Sequence, residues 1–239
     1  MALSLSFARE TPNQVLFSGN SCVKEVILNR PMKLNILNHE MICKIARNLT
    51  LYENDPSVKL VLLKANGKAF CAGGDVTSVI ASALIGHWTY SVSYYRKQLA
   101  LDYFIATYKK PVVCLINGIV MGGGAGISMN TTFKVVTEKT VFGMPEASIG
   151  HYPDVGEYVG LTGAQLNGVE MVACGLATHF VPSKGARAKL FEKDNKPKWE
   201  PSKLEMVSKE MVDQYFSKFD DQDWESLQLP ITSNTQSKL

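Results

Sequence analysis

The chain has 239 residues, 46% of them hydrophobic and 20% charged, so it is long enough for one sizeable core and too apolar to be disordered. Its net charge of +3 comes without a Lys/Arg run or a basic-aromatic patch, which argues against nucleic acid as the main partner. The longest apolar stretches, such as Pro111 to Ile116, fall far short of the ~20 residues of a membrane span, and the first residues lack a signal-peptide pattern.

In chain order, Val15 to Ser18 and Val23 to Leu28 are short apolar runs around a Gly19-Asn20 turn and predict a β-hairpin. Asn38 is a helix cap, and Met41, Ile42, Ile45, Ala46 and Leu49 recur at helical spacing through about Glu53. Val58 to Leu63 predicts a strand, and the stretch from about Thr77 to Tyr108 is mostly helical. Pro111 to Asn117 predicts a buried strand, and Gly122 to Gly126 opens a helix. Strands follow at Phe133 to Thr137 and Val141 to Gly143, then a short helix at Val169 to Cys174 and a strand at His179 to Val181. Pro201 to Phe219 reads as an amphipathic helix. Strands that alternate with helices predict an α/β layered fold.

Composition shifts near residue 184: positions 184 to 225 hold 19 charged residues in 42 places, and all eighteen glycines precede residue 186. The expected division is a glycine-rich core over 1–183 and a charged helical segment and tail over 184–239. The five cysteines, Cys22, Cys43, Cys71, Cys114 and Cys174, are odd in number, widely spaced and without CxxC or zinc-ligand spacing. They predict a reducing compartment, no disulfide framework and no metal site. Cys71 stands beside a glycine pair and is open to two readings, a reactive thiol or a small buried hydrophobe.

Three turns carry candidate chemistry. Cys71-Ala72-Gly73-Gly74-Asp75 and Asn117-Gly118-Ile119-Val120-Met121-Gly122-Gly123-Gly124-Ala125-Gly126 each open a helix. Glycine lets such turns expose backbone N–H groups, and one N–H from each of two facing turns can hold a developing oxyanion. Neither fits a nucleotide-binding pattern well, and either alone is compatible with a purely structural turn. The third, residues 144–156, carries Glu146 and Asp154, each after a proline. Two carboxylates beside apolar residues can divide acid and base work, or can be a helix cap and a surface loop. His151 lies between them, and no Gly-x-Ser-x-Gly is present. The last three residues, Ser237, Lys238 and Leu239, match a receptor-read peroxisomal address, which predicts a peroxisomal import receptor as a partner.

These motifs together resemble the crotonase (enoyl-CoA hydratase/isomerase) superfamily. Asn29-Arg30-Pro31 with Leu34-Asn35, Ala72-Gly73-Gly74-Asp75, Gly118 with Gly122-Gly123-Gly124, and Pro145-Glu146 carry that resemblance. Pro153-Asp154-Val155-Gly156 and residues 120–126, 144–146 and 173–182 resemble, more narrowly, its 3-hydroxyisobutyryl-CoA hydrolases, especially the plant peroxisomal enzymes of valine breakdown. The resemblance implies a spiral core of repeated β-β-α turns with a C-terminal helical appendage. It implies hydrolysis of an acyl-CoA thioester, with CoA as part of the substrate and no separate cofactor. Gly74 and Gly123 would supply the oxyanion hole, Glu146 the catalytic carboxylate, and Asp154 a carboxylate that positions substrate or water. Gln98, Gly123, Glu146 and Asp154 would contact substrate, and Lys33, Leu34, Ala72 and Asp75 would lie near CoA.

The chain departs from the family pattern in three ways. Gln98 stands where the hydrolases usually carry a glutamate, which keeps an acceptor oxygen and loses the charge. Gly156 runs directly into Glu157-Tyr158-Val159-Gly160, where an aromatic-rich segment is usual. Residues after Pro182 resemble the far C-terminal region, marked by Lys198-Trp199-Glu200-Pro201 and Asp223-Trp224-Glu225, as if a helical section had been left out. Gly126 replaces the second glutamate of family hydratases and favours hydrolysis over hydration. Three readings follow: the thioester hydrolase, a hydratase or isomerase on the same fold, and a non-catalytic CoA-binding or subunit-interaction form. The superfamily also raises the expectation of a homo-oligomer.

Overall fold

The computed structural model describes residues 13–150 and 157–183. The expected helix over residues 201–219, Asp154, His151 and the Ser237-Lys238-Leu239 tripeptide lie outside the described residues.

Strands β1 (Val15–Gly19) and β2 (Val23–Leu28) form the expected antiparallel hairpin. Asn20 shapes its turn by accepting the Cys22 and Val23 N–H groups on Oδ1. Helix α1 (His39–Asn54) starts at Asn38, whose side chain accepts the Met41 N–H, and buries Met41, Ile42, Ile45 and Leu49 on one face.

Thereafter the chain repeats one move. It lays a strand in a first sheet, turns sharply, lays a three-residue strand in a second sheet, and crosses back. The pairs are β3 (Leu60–Ala65) with β4 (Ala69–Cys71), β5 (Val112–Ile116) with β6 (Ile119–Met121), and β7 (Phe133–Val136) with β8 (Val141–Gly143). Helices α2 (Val76–Leu84) and α3 (Trp88–Ala106) follow the first pair, and α4 (Gly123–Met129) the second. Helix α5 (Glu157–Thr162), strand β9 (Gln165–Asn167), helix α6 (Gly168–Ala173) and strand β10 (His179–Phe180) complete the described chain.

The first sheet has the order β1-β2-β3-β5-β7-β10 and is parallel except for β1; the second is β4-β6-β8-β9, parallel except for β9. This is the expected α/β spiral of β-β-α turns. The core lies between the layers, where Val112, Cys114 and Ile116 of β5 alternate inward, as a strand period requires. The turn between β5 and β6 needs Gly118: its φ is +86°, and a Cβ there would collide with the Lys68 carbonyl oxygen.

Several expectations shift. The strand expected at Val58 to Leu63 runs from Leu60 to Ala65, because Val58 sits in the turn whose N–H donates to the Asp55 carbonyl. The stretch from Thr77 to Tyr108, expected to be mostly helical, is two helices. Gly86 adopts φ +85° between them, which no helical residue can. The short strands β4, β6 and β9 carry too few residues for a periodic signal.

Asn35 fastens the loop after β2 to the spiral. It is fully buried with φ +54°, a left-handed conformation that asparagine tolerates. Its Oδ1 accepts the Arg30 N–H at 2.7 Å, and its Nδ2 donates to the Asn66 and Ala69 carbonyls at 2.8 Å each. Asn35→Ala removes the side-chain hydrogen bonds to three backbone groups, one buried and two part-buried, and should lower unfolding free energy by about 3 kcal/mol. Urea unfolding measures this, and a loss below about 1 kcal/mol would show that the loop holds without the clasp.

Candidate active site

Two turns leave neighbouring strands of the second sheet on the same side. β4 and β6 pair in parallel, Ala69 beside Ile119 and Cys71 beside Val120, with a bulge between Ala69 and Cys71. The turn after β4 therefore meets the turn after β6. A Cβ on Gly73 would lie 3.5 Å from the Met121 carbonyl oxygen and 4.0 Å from the Gly123 nitrogen.

The first turn is anchored by a bridge to Leu37. The Leu37 N–H donates to the Gly73 carbonyl at 2.8 Å, and the Asp75 N–H donates to the Leu37 carbonyl at 2.9 Å. A parallel bridge of this form turns the N–H of the middle residue, Gly74, away from Leu37. Tyr94 of α3 closes the back. Its hydroxyl donates to the Leu37 carbonyl at 2.7 Å and accepts the Asp75 N–H at 3.1 Å. Burial holds that phenol well above its ordinary pKa, so it stays a neutral donor. Gly123 is the first residue of α4, a position whose N–H has no intrahelical acceptor. Among the described residues, neither the Gly74 nor the Gly123 N–H donates to a backbone acceptor.

Glu146 and Gln98 complete the site. Glu146 begins a short 3-10 turn after Pro145 and is 6% exposed. Its Oε1 lies against Gly122, where φ is +50° and a Cβ would strike that oxygen. Gln98, 2% exposed on α3, sits between the two turns: its amide nitrogen lies against Gly123 and its oxygen near both Gly74 and Gly123. A cavity of about 90 Å³ opens among Ala72, Gly74, Gln98, Gly123 and Glu146, together with Gly73, Gly122, Val76, Tyr95 and Pro145. It has room for on the order of half a dozen water-sized groups, the size of a short acyl head.

The sequence-predicted residues divide into those that line this cavity and those that do not. Gly74, Gly123, Glu146, Gln98 and Ala72 come together there. Asp75 does not line it: its side chain caps α2 by accepting the Ser78 N–H at 3.2 Å and stands 3.9 Å from the Arg30 guanidinium. Lys33 is exposed on a 3-10 turn, and the Leu34 carbonyl accepts the Ala72 N–H at 3.0 Å, so that loop abuts the first glycine turn. Tyr95 and Val76 line the cavity without having been singled out from the sequence. Tyr95 precedes Gln98 by three, so helical spacing from Gln98 was the available signal.

Cys71 is a buried hydrophobe. Its thiol is fully buried, donates to the Gly73 carbonyl, and is pushed up to about 12 by burial. Gly126 faces Asp102 of α3: a Cβ there would lie 2.7 to 3.1 Å from the Asp102 carboxylate.

The fold and cavity define a class: a spiral α/β protein whose paired glycine turns meet a buried carboxylate. Comparison with known proteins gives the family. The family model described as enoyl-CoA hydratase/isomerase matches residues 23–186 and 183–216, and the chain belongs to that family. An Arabidopsis thaliana protein named 3-hydroxyisobutyryl-CoA hydrolase 1 is 50% identical over 184 residues, covering 72% of this chain and 49% of its own. An Arabidopsis thaliana protein named small ribosomal subunit protein mS47 is 40% identical over 181 residues, 70% of this chain and 44% of its own. The crystal structure of an enoyl-CoA hydratase from Rhodobacter sphaeroides superposes with a TM-score of 0.70 at 29% identity, covering 84% of this chain and 64% of that one. The chain thus spans about half the length of the curated relatives it matches.

Gly122 and Gly143 separate a constrained glycine from a free one. Gly122→Ala combines a forbidden backbone with a collision at Glu146 and should cost about 2 kcal/mol or more. At Gly143 the new Cβ would sit 3.5 Å from the Gln165 side chain, ordinary contact, and Gly143→Ala should stay within about 1 kcal/mol. Urea unfolding of both variants checks the contrast; equal losses would mean the Gly122 turn relaxes around a side chain.

Proposed function

We propose that this chain hydrolyses an acyl-CoA thioester, with 3-hydroxyisobutyryl-CoA as substrate and 3-hydroxyisobutyrate and CoA as products, a step of valine catabolism. The observation that carries the reading is the meeting of the Gly74 and Gly123 turns beside the Glu146 carboxylate. The name of the Arabidopsis relative supports the substrate.

The thioester oxygen takes the two backbone N–H groups, which stabilise the charge it gains as the carbonyl carbon becomes tetrahedral. Gln98 adds a neutral amide over the same space. Glu146 then acts in one of two ways. As a base it takes a proton from water that attacks the carbonyl; as a nucleophile it forms an anhydride that water opens. In both, the C–S bond breaks, CoA leaves as its thiol, and the acid is released. Asp154, by its place in the sequence motif, would orient the acyl hydroxyl or the water. Ala72 would lie along the CoA arm, with Lys33 and Leu34 at its entrance and Asp75 supporting the turn from behind.

Two observations weigh the alternatives. Gly126 leaves no second glutamate, and the Asp102 carboxylate stands in the space its side chain would need, which counts against hydration of a double bond. The mS47 relative favours a second reading, a subunit-interaction protein built on the same fold. The Ser237-Lys238-Leu239 tripeptide supports delivery to peroxisomes, which a fluorescent fusion with and without those residues would test.

CoA release from 3-hydroxyisobutyryl-CoA, followed with a thiol reagent, is the test. Glu146→Gln should lower the rate by about 10²-fold or more while CoA still raises the thermal midpoint of the variant. Equal rates in parent and variant would remove Glu146 from the chemistry. No release from a folded parent would favour the subunit-interaction reading.

A further inference from the structure

A second cluster of reactive groups lies outside the cleft, between α1 and α3. His39 and Cys43 stand one helical turn apart on α1 and face Lys97 of α3. The Lys97 Nζ lies 3.0 Å from His39 Nε2 and donates to Cys43 Sγ at 3.6 Å. With the ammonium donating to Nε2, the ring proton sits on Nδ1, which faces Cys43 Sγ at 3.8 Å. Two N–H donors therefore converge on one sulfur. The Tyr90 ring stands beside the imidazole, with ring centroids 6.1 Å apart and planes tilted by 31°.

This sulfur opens on a groove of about 400 Å³, a size typical of small-ligand pockets. Ile42, Ala46, Leu101 and Phe104 make it apolar, with Cys43 and Lys97 at its polar end. Among the described residues the two exposed cysteines lack such a setting. Cys22 Sγ meets a serine hydroxyl at 3.8 Å, and Cys174 Sγ donates to the Met171 carbonyl at 3.7 Å.

We propose that Cys43, supported by His39 and Lys97, is an acyl-accepting thiol that takes an acyl group from an acyl thioester and seats its hydrocarbon chain in this groove. Sγ attacks the thioester carbonyl. A new C–S bond forms to Cys43, the C–S bond to the carrier breaks, and the carrier leaves as a thiol with the proton that Cys43 gives up. No electrons change hands. The site is separate from the cleft: Lys97 faces the groove, while the next residue, Gln98, faces the glycine turns. Modification at Cys43 would mark the protein according to the acyl thioesters around it.

The test uses the full chain with octanoyl and acetyl thioesters of N-acetylcysteamine, probes that lack the CoA nucleotide, followed by peptide mapping. The octanoyl group should appear on Cys43 on the order of tenfold faster than on Cys22 or Cys174, and faster than the acetyl group does. Lys97→Met and His39→Phe should each slow it several-fold, and Cys43→Ser should abolish it. Glu146→Gln should be acylated at Cys43 at the parent rate. Even labelling across Cys43, Cys22 and Cys174, no preference for the longer chain, or loss of labelling in the Glu146→Gln protein would overturn a separate acyl site.

Discussion

The parallel pairing of β4 with β6 is the constraint on which the site depends. Parallel strands run in one direction, so the turns that leave their carboxyl ends emerge together. Cys71 and Val120 lie side by side, and the next few residues of each chain segment are the two glycine turns. The strands themselves are three residues long and could not hold this register alone. They hold it because each is the second half of a pair whose first half, β3 or β5, is locked in the six-stranded sheet. The spiral thus converts a long sheet, stabilised by apolar burial, into fixed positions for short segments that bury little.

Around this pairing, polar groups buried by the fold are placed where the chain itself needs them. Thr140 donates to the Ile116 carbonyl at 2.8 Å and accepts the Thr137 N–H at 2.9 Å, while Thr137 donates to Asn117 at 2.8 Å. That small network ties the end of β5 to the turn before β8. Asn35 does the same for β3 and the loop after β2. A buried amide or carbonyl without a partner costs about 1–3 kcal/mol, so each of these side chains fixes a turn rather than decorating it. In the two turns of the cleft it is the Gly74 and Gly123 N–H groups that, among the described residues, donate to no backbone acceptor.

The hairpin, the cap at Asn38, the core strand β5 and the α/β class were legible because each rests on local signals: turn residues, capping chemistry and period. The pairing of the two glycine turns was legible only through the resemblance, since no local pattern says that Gly74 and Gly123 meet. The division of the long helical stretch at Gly86 was missed because glycine sits within an otherwise helical run, where it is tolerated in sequence terms. The strands β4, β6 and β9 were missed for lack of length. The capping role of Asp75 was not read from the sequence, though it has a general reason. An acidic residue at the start of a helix is wanted there whatever the protein does.

The stripe that α3 turns toward the cleft is partly polar. Its buried positions include Tyr94, Gln98 and Asp102, polar residues four apart. A hydrophobic pattern cannot reveal a stripe whose members are polar. Their partners reveal it instead. Tyr94 meets Gly74, Gln98 meets Gly74 and Gly123, and Asp102 meets Gly126. Each glycine leaves a space that a polar side chain of α3 fills, and at each a Cβ would come within 2.7 Å of that side chain. The glycines of the two turns therefore do two things at once. They bring backbone N–H groups to the cavity, and they admit a ladder of hydroxyl, amide and carboxylate groups behind it. Helix α3 is the polar wall of the site, and its sequence is constrained by the glycines it faces as much as by the solvent it leaves.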